Sequence, residues 1–257
     1  MLEQSDPRRG NDAAEPGGSR EALAAARVLI VGAGGLGVPA AAQLAAGGVG
    51  TIGIMDADRI DLSNLPRQIL HRTEDLGRPK VLSLRERLHR ISPRLTVKAL
   101  EERLDGSNAR RLIADYDFVI DACDDFATKF LINDVAVALG VPYSHGGVLG
   151  FMGQTLTVVP GRGACYRCLF SAPPPAHETP TCRDAGILGP IAGVIGTIQA
   201  AQALATLSGG AGLLVDRLLT YDALRLRLRE VRIAQNPRCE TCATVVGTAR
   251  RREGVLQ

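Results

Sequence analysis

Arg27-Val-Leu-Ile-Val31, running directly into Gly32-Ala-Gly34-Gly35-Leu-Gly37, is the stretch from which the fold is read. Five residues with a continuous apolar run, ending in glycines, have the character of a strand buried on both faces of a parallel sheet. Gly32, Gly34, Gly35 and Gly37 supply a G-x-G-x-x-G loop, and the Ala- and Leu-rich segment Val38 to Gly47 reads as the helix that follows. Without Cβ atoms, such a loop brings backbone N–H groups and a helix N-terminus close to phosphates. The next strand, Thr51-Ile-Gly-Ile-Met55, ends at Asp56, 19 residues after Gly37, where a carboxylate is placed to bond ribose hydroxyls. Strand, loop, helix and acid together predict nucleotide binding; their spacing alone does not separate NAD from ATP.

Outward from this unit the alternation continues. Lys80 to Arg90 has helical spacing of Val81, Leu84 and Leu88, and Leu95 to Leu100 reads as a strand. Phe118-Val-Ile120 is a further buried strand, closed by Asp121-Ala-Cys-Asp-Asp125; a helix from Phe126 to Leu139 and a strand at Val141-Pro-Tyr-Ser-His145 follow. The fold class expected is α/β: a Rossmann-like, doubly wound, mostly parallel sheet with helices on both faces. A C-terminal region adds extra strands and a four-cysteine zinc site. In that half, Gln154 to Val159 is expected to be a strand of a new layer, 171–180 a Pro-rich loop, Ile187 to Leu207 a long apolar helix packed through small residues, and Leu213 to Leu228 one or two closing strands. The expected organisation is a flexible arm over 1–20, a nucleotide-binding part over 21–150 and a zinc-stapled part of the same domain over 151–257.

Composition narrows the function classes. Hydrophobic residues make up 46% and charged residues 22% of 257, as in an ordinary globule, and the net charge is only +3. No concentrated basic face is evident, so no nucleic acid partner is expected. No run approaches the roughly 18 apolar residues that span a bilayer, so no membrane partner is expected either. The polar N-terminus lacks the apolar core of a secretory signal, which makes the cytoplasm the default location. Six cysteines in that setting point to metal or catalytic use rather than disulfides.

Four of them form two pairs, Cys165-Tyr-Arg-Cys168 and Cys239-Glu-Thr-Cys242. Four thiolates suit a closed tetrahedral structural Zn²⁺, and the long separation between the pairs makes it a staple of distant chain segments. Asn64, Arg67, Lys80 and Asp124 group around strand ends: the cations suit a triphosphate and the carboxylate suits Mg²⁺. Taken singly, each is an ordinary solvated surface residue; the grouping is what singles them out.

These motifs together resemble the ThiF/MoeB/HesA family, bacterial relatives of the ubiquitin-activating enzymes. The likeness runs from about Arg20 and also takes in Ser63-Asn-Leu-Pro-Arg67-Gln, Gly77-Arg-Pro-Lys80, Thr181-Cys-Arg-Asp-Ala-Gly186 and Asn236-Pro-Arg-Cys-Glu-Thr-Cys242. The resemblance implies that ATP and Mg²⁺ adenylate the C-terminal Gly-Gly carboxylate of a small ubiquitin-like sulfur-carrier protein, releasing pyrophosphate, for later thiocarboxylate formation. It implies Asp56 on the ribose, Asn64, Arg67 and Lys80 on the phosphates, and Asp124 on Mg²⁺. It also implies a homodimer in which an N-terminal arginine reaches the partner's ATP, a place that falls on Arg8, although the residues that usually surround it are absent. Cys182 takes the position of a thiol intermediate in part of the family. Asp125 stands where Asn is usual, with an expected strengthening of Mg²⁺ binding or a raised carboxylate pKa.

Cys123 is read as packed core and His145 as a satisfied polar group near the sheet edge. Sulfur is expected from a separate sulfurtransferase or desulfurase, and the pathway stays open among molybdopterin, thiamine, thiolated tRNA and secondary-metabolite synthesis. Two rivals remain: an NAD-dependent oxidoreductase, which leaves the four thiolates unexplained, and a non-catalytic carrier-binding relative.

Overall fold

The computed structural model describes residues 20–174 and 186–243. Arg8 and Cys182 therefore lie outside the described residues. Among the described residues eight strands form one sheet: β1 (Arg27–Val31), β2 (Thr51–Met55), β3 (Thr96–Leu100), β4 (Phe118–Asp121), β5 (Tyr143–Leu149), β6 (Met152–Val158), β7 (Arg217–Asp222) and β8 (Arg227–Arg232). Their order is β3-β2-β1-β4-β5-β6-β7-β8. The first five run parallel, and β6 to β8 are antiparallel to their neighbours. The segment expected to begin a new layer, Gln154 to Val159, is instead β6, hydrogen-bonded to β5 through a tight turn at Gly150. Alternation within a strand reports its two faces but not which sheet it joins, and a short connection favours pairing with the preceding strand.

The continuous apolar runs are explained by cover on both faces. Helix α1 (Arg20–Ala25) leads into β1, whose Val28 and Ile30 enter one core with helix α2 (Gly37–Ala46), helix α3 (Lys80–Ile91) and the long helix Gly189–Leu207. Leu29 and Val31 enter a second core with α4 (Ala109–Ile113) and α5 (Phe126–Leu139). Gly189–Leu207 is 19 residues long and apolar enough, by length and composition, to cross a membrane, which corrects the expectation that no such run exists. Here its Ile191, Ala192, Ile195, Gly196, Ala200 and Ala203 are buried, and it packs on α2, β5 and β6 as a core helix.

Between β1 and β4 the chain reverses its direction of travel across the sheet, which is where open α/β sheets bind ligands. The end of β4 is organised by one buried charge. Asp121 is 1% exposed and accepts hydrogen bonds from Lys129 Nζ at 3.1 Å and His145 Nδ1 at 2.8 Å. Lys129, on α5, also donates to the Gly146 carbonyl at 2.7 Å. Burial disfavours the carboxylate, but Lys129 and His145 more than offset it and hold Asp121 at about 2, below its ordinary 3.8.

Lys129→Met removes the counter-charge and should destabilise the protein by about 3–5 kcal/mol, because a buried carboxylate is left uncompensated. Urea denaturation at pH 7 measures it. Since Asp121 has a depressed folded pKa, its stabilising contribution is complete above about 4 and is lost as pH falls toward 2. The stability gap between wild type and Lys129→Met should narrow over that window.

Candidate active site

At the end of β1, Gly32 adopts φ +105°, and a Cβ there would stand 2.6 Å from the Ala122 carbonyl oxygen. The loop thus rests directly on the turn that follows β4. Asp56, one residue past β2, fixes the loop from the other side. Its carboxylate accepts the Ala33 N–H at 2.8 Å and the Asp58 N–H at 2.8 Å. Burial pushes the Asp56 carboxyl up, against the pull of Lys80 and the two N–H donors. Lys80, at the start of α3, is buried; its ammonium lies 2.9 Å from Asp58 Oδ2 and 3.7 Å from Asp56 Oδ2.

Asn64 and Arg67 come from the segment after β2. Asn64 Oδ1 accepts the Asp61 N–H at 3.3 Å across a short 3₁₀ turn, Leu62–Asn64. Arg67 Nη1 donates to the Ser63 carbonyl at 2.8 Å. The Arg67 backbone and stem lie beside Gly35 of the glycine loop and Gly189 at the start of the long helix. A cavity of about 210 Å³ opens there, lined by Gly35, Pro39, Arg67, Ile69 and Pro190 among others.

Asp124 lies three residues beyond the end of β4 and is exposed on the same edge. Asp125 behaves otherwise than expected. Its carboxylate caps α5, accepting the Thr128 N–H at 2.8 Å and the Thr128 hydroxyl at 2.6 Å. Although burial raises its pKa, those hydrogen bonds bring it below the ordinary value. It is therefore committed to a helix end rather than raised beside Asp124. Cys123 is half-buried, its thiol donating to Asp121 Oδ1 at 3.0 Å, and burial pushes its pKa well up. His145 is only half satisfied: it lies 1% exposed on the interior strand β5, with Nδ1 on Asp121 and Nε2 lacking a hydrogen-bond partner among the described residues.

Gln68 falls within the Ser63–Gln68 motif without a role read for it, and the sequence did not signal His71. Gln68 is buried, and its Nε2 lies 3.8 Å from the Cβ position of Gly34. His71 is buried with Nδ1 3.0 Å from the Ser83 hydroxyl; burial lowers its pKa, with the Ala33 backbone acting the other way. Both underlie the glycine loop from a segment more than 30 residues away in sequence.

The four paired cysteines converge as the spacing predicts. Their sulfur atoms all lie within 4.8 Å of one another, with Cys165–Cys239 at 3.6 Å and Cys168–Cys242 at 3.5 Å. Tetrahedral Zn–S bonds of about 2.3 Å require S···S separations of about 3.8 Å, so the donor set fits that metal. The Asn236 N–H points to Cys168 Sγ at 3.4 Å. Arg167 grips Asp134 of α5 through two bonds of 2.6 and 2.7 Å, and the Thr241 hydroxyl joins the same carboxylate at 3.2 Å.

The ThiF family model matches residues 10–241. The chain belongs to the ThiF family. It is 44% identical over 228 residues to a sulfur carrier protein adenylyltransferase of Thermus thermophilus, covering 87% of this chain and 84% of that one. It is 42% identical over 220 residues to a SAMP-activating enzyme E1 of Haloferax volcanii, covering 86% and 81%. Among solved structures, E. coli MccB with ATP superposes with a TM-score of 0.78 at 20% identity, covering 87% of this chain and 69% of that chain. This last likeness concerns the ThiF fold alone.

In this ThiF-family chain, Gly32→Ala combines an unfavourable positive φ with a collision against Ala122. It should lower stability by at least about 2 kcal/mol and abolish nucleotide binding, as read by thermal unfolding with and without ATP.

Proposed function

We propose that this chain uses ATP to adenylate the C-terminal Gly-Gly carboxylate of a small ubiquitin-like sulfur carrier. The observation that carries the reading is the meeting, on one sheet edge of a ThiF-family chain, of the glycine loop, the Asp56–Lys80–Asp58 set and the turn bearing Asp124. Asp56 is the ribose ligand in this reading, and Asn64, Arg67 and Lys80 are the phosphate ligands. The carrier carboxylate is already ionised at neutral pH and needs no general base. Its oxygen bonds to the α-phosphorus as the bond to the β-phosphate oxygen breaks, and pyrophosphate departs with the electron pair. Lys80 and Arg67 stabilise the charge that builds on the leaving group.

Asp124 would hold Mg²⁺: its exposed carboxylate suits an ion that keeps most of its water and takes its other ligands from phosphate. Bound there, the ion would neutralise phosphate charge. Cys165, Cys168, Cys239 and Cys242 would hold Zn²⁺ in a closed set without an open position, a structural role. A homodimer completed by Arg8, a thiol intermediate at Cys182 and a separate sulfur donor belong to the same proposal. The named relatives favour adenylation over hydride transfer, and the intact set at the sheet edge favours it over a non-catalytic relative.

Carrier-dependent exchange of labelled pyrophosphate into ATP is the test. Asp124→Ala should abolish it without loss of stability, and Lys80→Ala should lower it by on the order of 3 kcal/mol of barrier. Near-normal exchange in both variants would sink the assignment.

Protein prepared without chelator should carry about one zinc per chain by elemental analysis. Cys239→Ser should lower the unfolding temperature more than it lowers the exchange rate, since a closed site supplies folding energy rather than chemistry. Absence of zinc would defeat that part of the reading.

A further inference from the structure

Arg103 stands three residues past the end of β3, yet its side chain reaches back to the Asp56–Lys80–Asp58 set. Its Nη2 lies 3.4 Å from Asp58 Oδ1, while Lys80 holds the other oxygen of that carboxylate at 2.9 Å. The arginine side chain is 80% exposed, and an ion pair so open adds little to stability. Its root, by contrast, is fixed. Asn108, itself buried, donates from Nδ2 to the Arg103 carbonyl at 2.8 Å and to Glu102 Oε2 at 3.1 Å. Leu104, the next residue, is buried in the second core.

The sheet order indicates what this cation faces. Across the edge in the order β4-β1-β2-β3, Asp124 follows β4, the glycine loop follows β1 and Asp56 follows β2. A nucleotide with its triphosphate over the glycine loop and its ribose on Asp56 is laid out along this row of strands. Its base then falls over the next strand, β3, about 4.8 Å farther on. Met55 is level with Leu100, and the Asp56 N–H donates to the Leu100 carbonyl at 3.2 Å. The residues that leave β3, 101–108, therefore flank the base, and Arg103 is among them.

A base is held by its face as well as by its edge, and proteins supply either an aromatic ring or the plane of a guanidinium. Neither 56–79 nor 101–108 contains Phe, Tyr or Trp. The arginines of 56–79 are engaged elsewhere. Arg59 donates to the Gly77 carbonyl at 2.9 Å and Arg67 to the Ser63 carbonyl at 2.8 Å; Arg72 pairs with Glu74 at 3.6 Å and Arg78 with Asp75 at 2.7 Å. That leaves Arg103 as the planar group at the base position, rooted in the fold and open to solvent.

We propose that Arg103 lays its guanidinium against the face of the adenine ring and so positions the base of ATP. The inference rests on the nucleotide placement of the adenylation reading. Asp58 steers this arrangement: when Lys80 turns to phosphate, the carboxylate keeps Arg103 as its cation and holds it over the nucleoside. The guanidinium reads the face of the base and not its hydrogen-bonding edge, so it supplies affinity and orientation rather than a choice between purines.

The test is equilibrium binding, by displacement of a fluorescent ATP analogue, of ATP, AMP and inorganic tripolyphosphate to wild type and variants. Arg103→Ala should weaken ATP and AMP together, each by about five-fold, the scale of one cation–π contact. Tripolyphosphate, which has no base, should bind both proteins equally. Arg103→Lys keeps the charge but loses the plane, and should recover only part of the lost affinity. Unfolding temperatures without ligand should match the wild type, because the Asp58 pair is exposed. Unchanged ATP affinity in Arg103→Ala overturns the proposal and leaves a surface ion pair. Tripolyphosphate weakened in step, or full rescue by lysine, overturns it in favour of a point charge on phosphate. A fall in unfolding temperature that accompanies the lost affinity assigns Arg103 to the fold and overturns it as well. If the wild type binds no ATP at all, the adenylation reading falls first and takes this contact with it.

Discussion

An ionised carboxylate with 1% exposure is an expensive thing to bury, and Asp121 is kept only because four donors converge on it. They are the Lys129 ammonium, His145 Nδ1, and the backbone N–H and thiol of Cys123. They come from three places: α5, β5 and the turn after β4. Meeting these demands fixes how α5 seats against the sheet and where β5 lies, since Lys129 also holds the Gly146 carbonyl. It fixes the turn at Ala122 as well, on which Gly32 rests. The glycine loop and the turn bearing Asp124 are thus two outcrops of one scaffold, and neither can move without disturbing a buried ion pair.

Helix α5 extends that scaffold to the far end of the chain. Its first turn is capped by Asp125 and Lys129 faces Asp121, while Asp134 is gripped by Arg167 and Thr241, which lie beside the two cysteine pairs. The antiparallel half needs such a hold. All six residues of β8 are exposed, and an edge strand without a buried face gains little from packing. A metal in the four-thiolate set would close the loop between the pairs, adding the stabilisation the edge strand lacks.

What was legible in the sequence follows from this. Strands β1, β2 and β4 announce themselves because a parallel strand covered on both faces tolerates no polar interruption. The cysteine pairs are legible because ligand spacing is local. The expectations that failed depended on information that is not local. β6 carries its alternation openly, but nothing in that pattern says that it joins β5. Asp121-Ala-Cys-Asp-Asp125 contains three carboxylates in five residues, and only the fold separates the buried Asp121 from the exposed Asp124. Asp125 was the exception that local rules reach, since Asp followed three residues later by Thr128 at a helix start reads as an N-cap. The roles of Gln68, His71 and the half-satisfied His145 were not legible, because each depends on partners from other segments of the chain.

The cations divide by the kind of acceptor they hold, and that division separates structure from chemistry. Lys129 and Arg87 are paired with Asp121 and Asp75, each 1% exposed, where exchange of partner would strand a charge in the interior. The proposed phosphate ligands are parked differently. Lys80 lies nearest Asp58, which is 54% exposed, with the more buried Asp56 farther off at 3.7 Å, and Arg67 lies against the Ser63 carbonyl. A carboxylate half in water loses little when its partner turns away, because solvent replaces the lost interaction. Asp58 spares the ammonium an unpaired burial, and in the proposed reading the pairing would yield to phosphate at small cost. Net charge would treat Lys129 and Lys80 alike, yet the first is held so that the fold keeps it and the second, in the proposed reading, so that a ligand can take it.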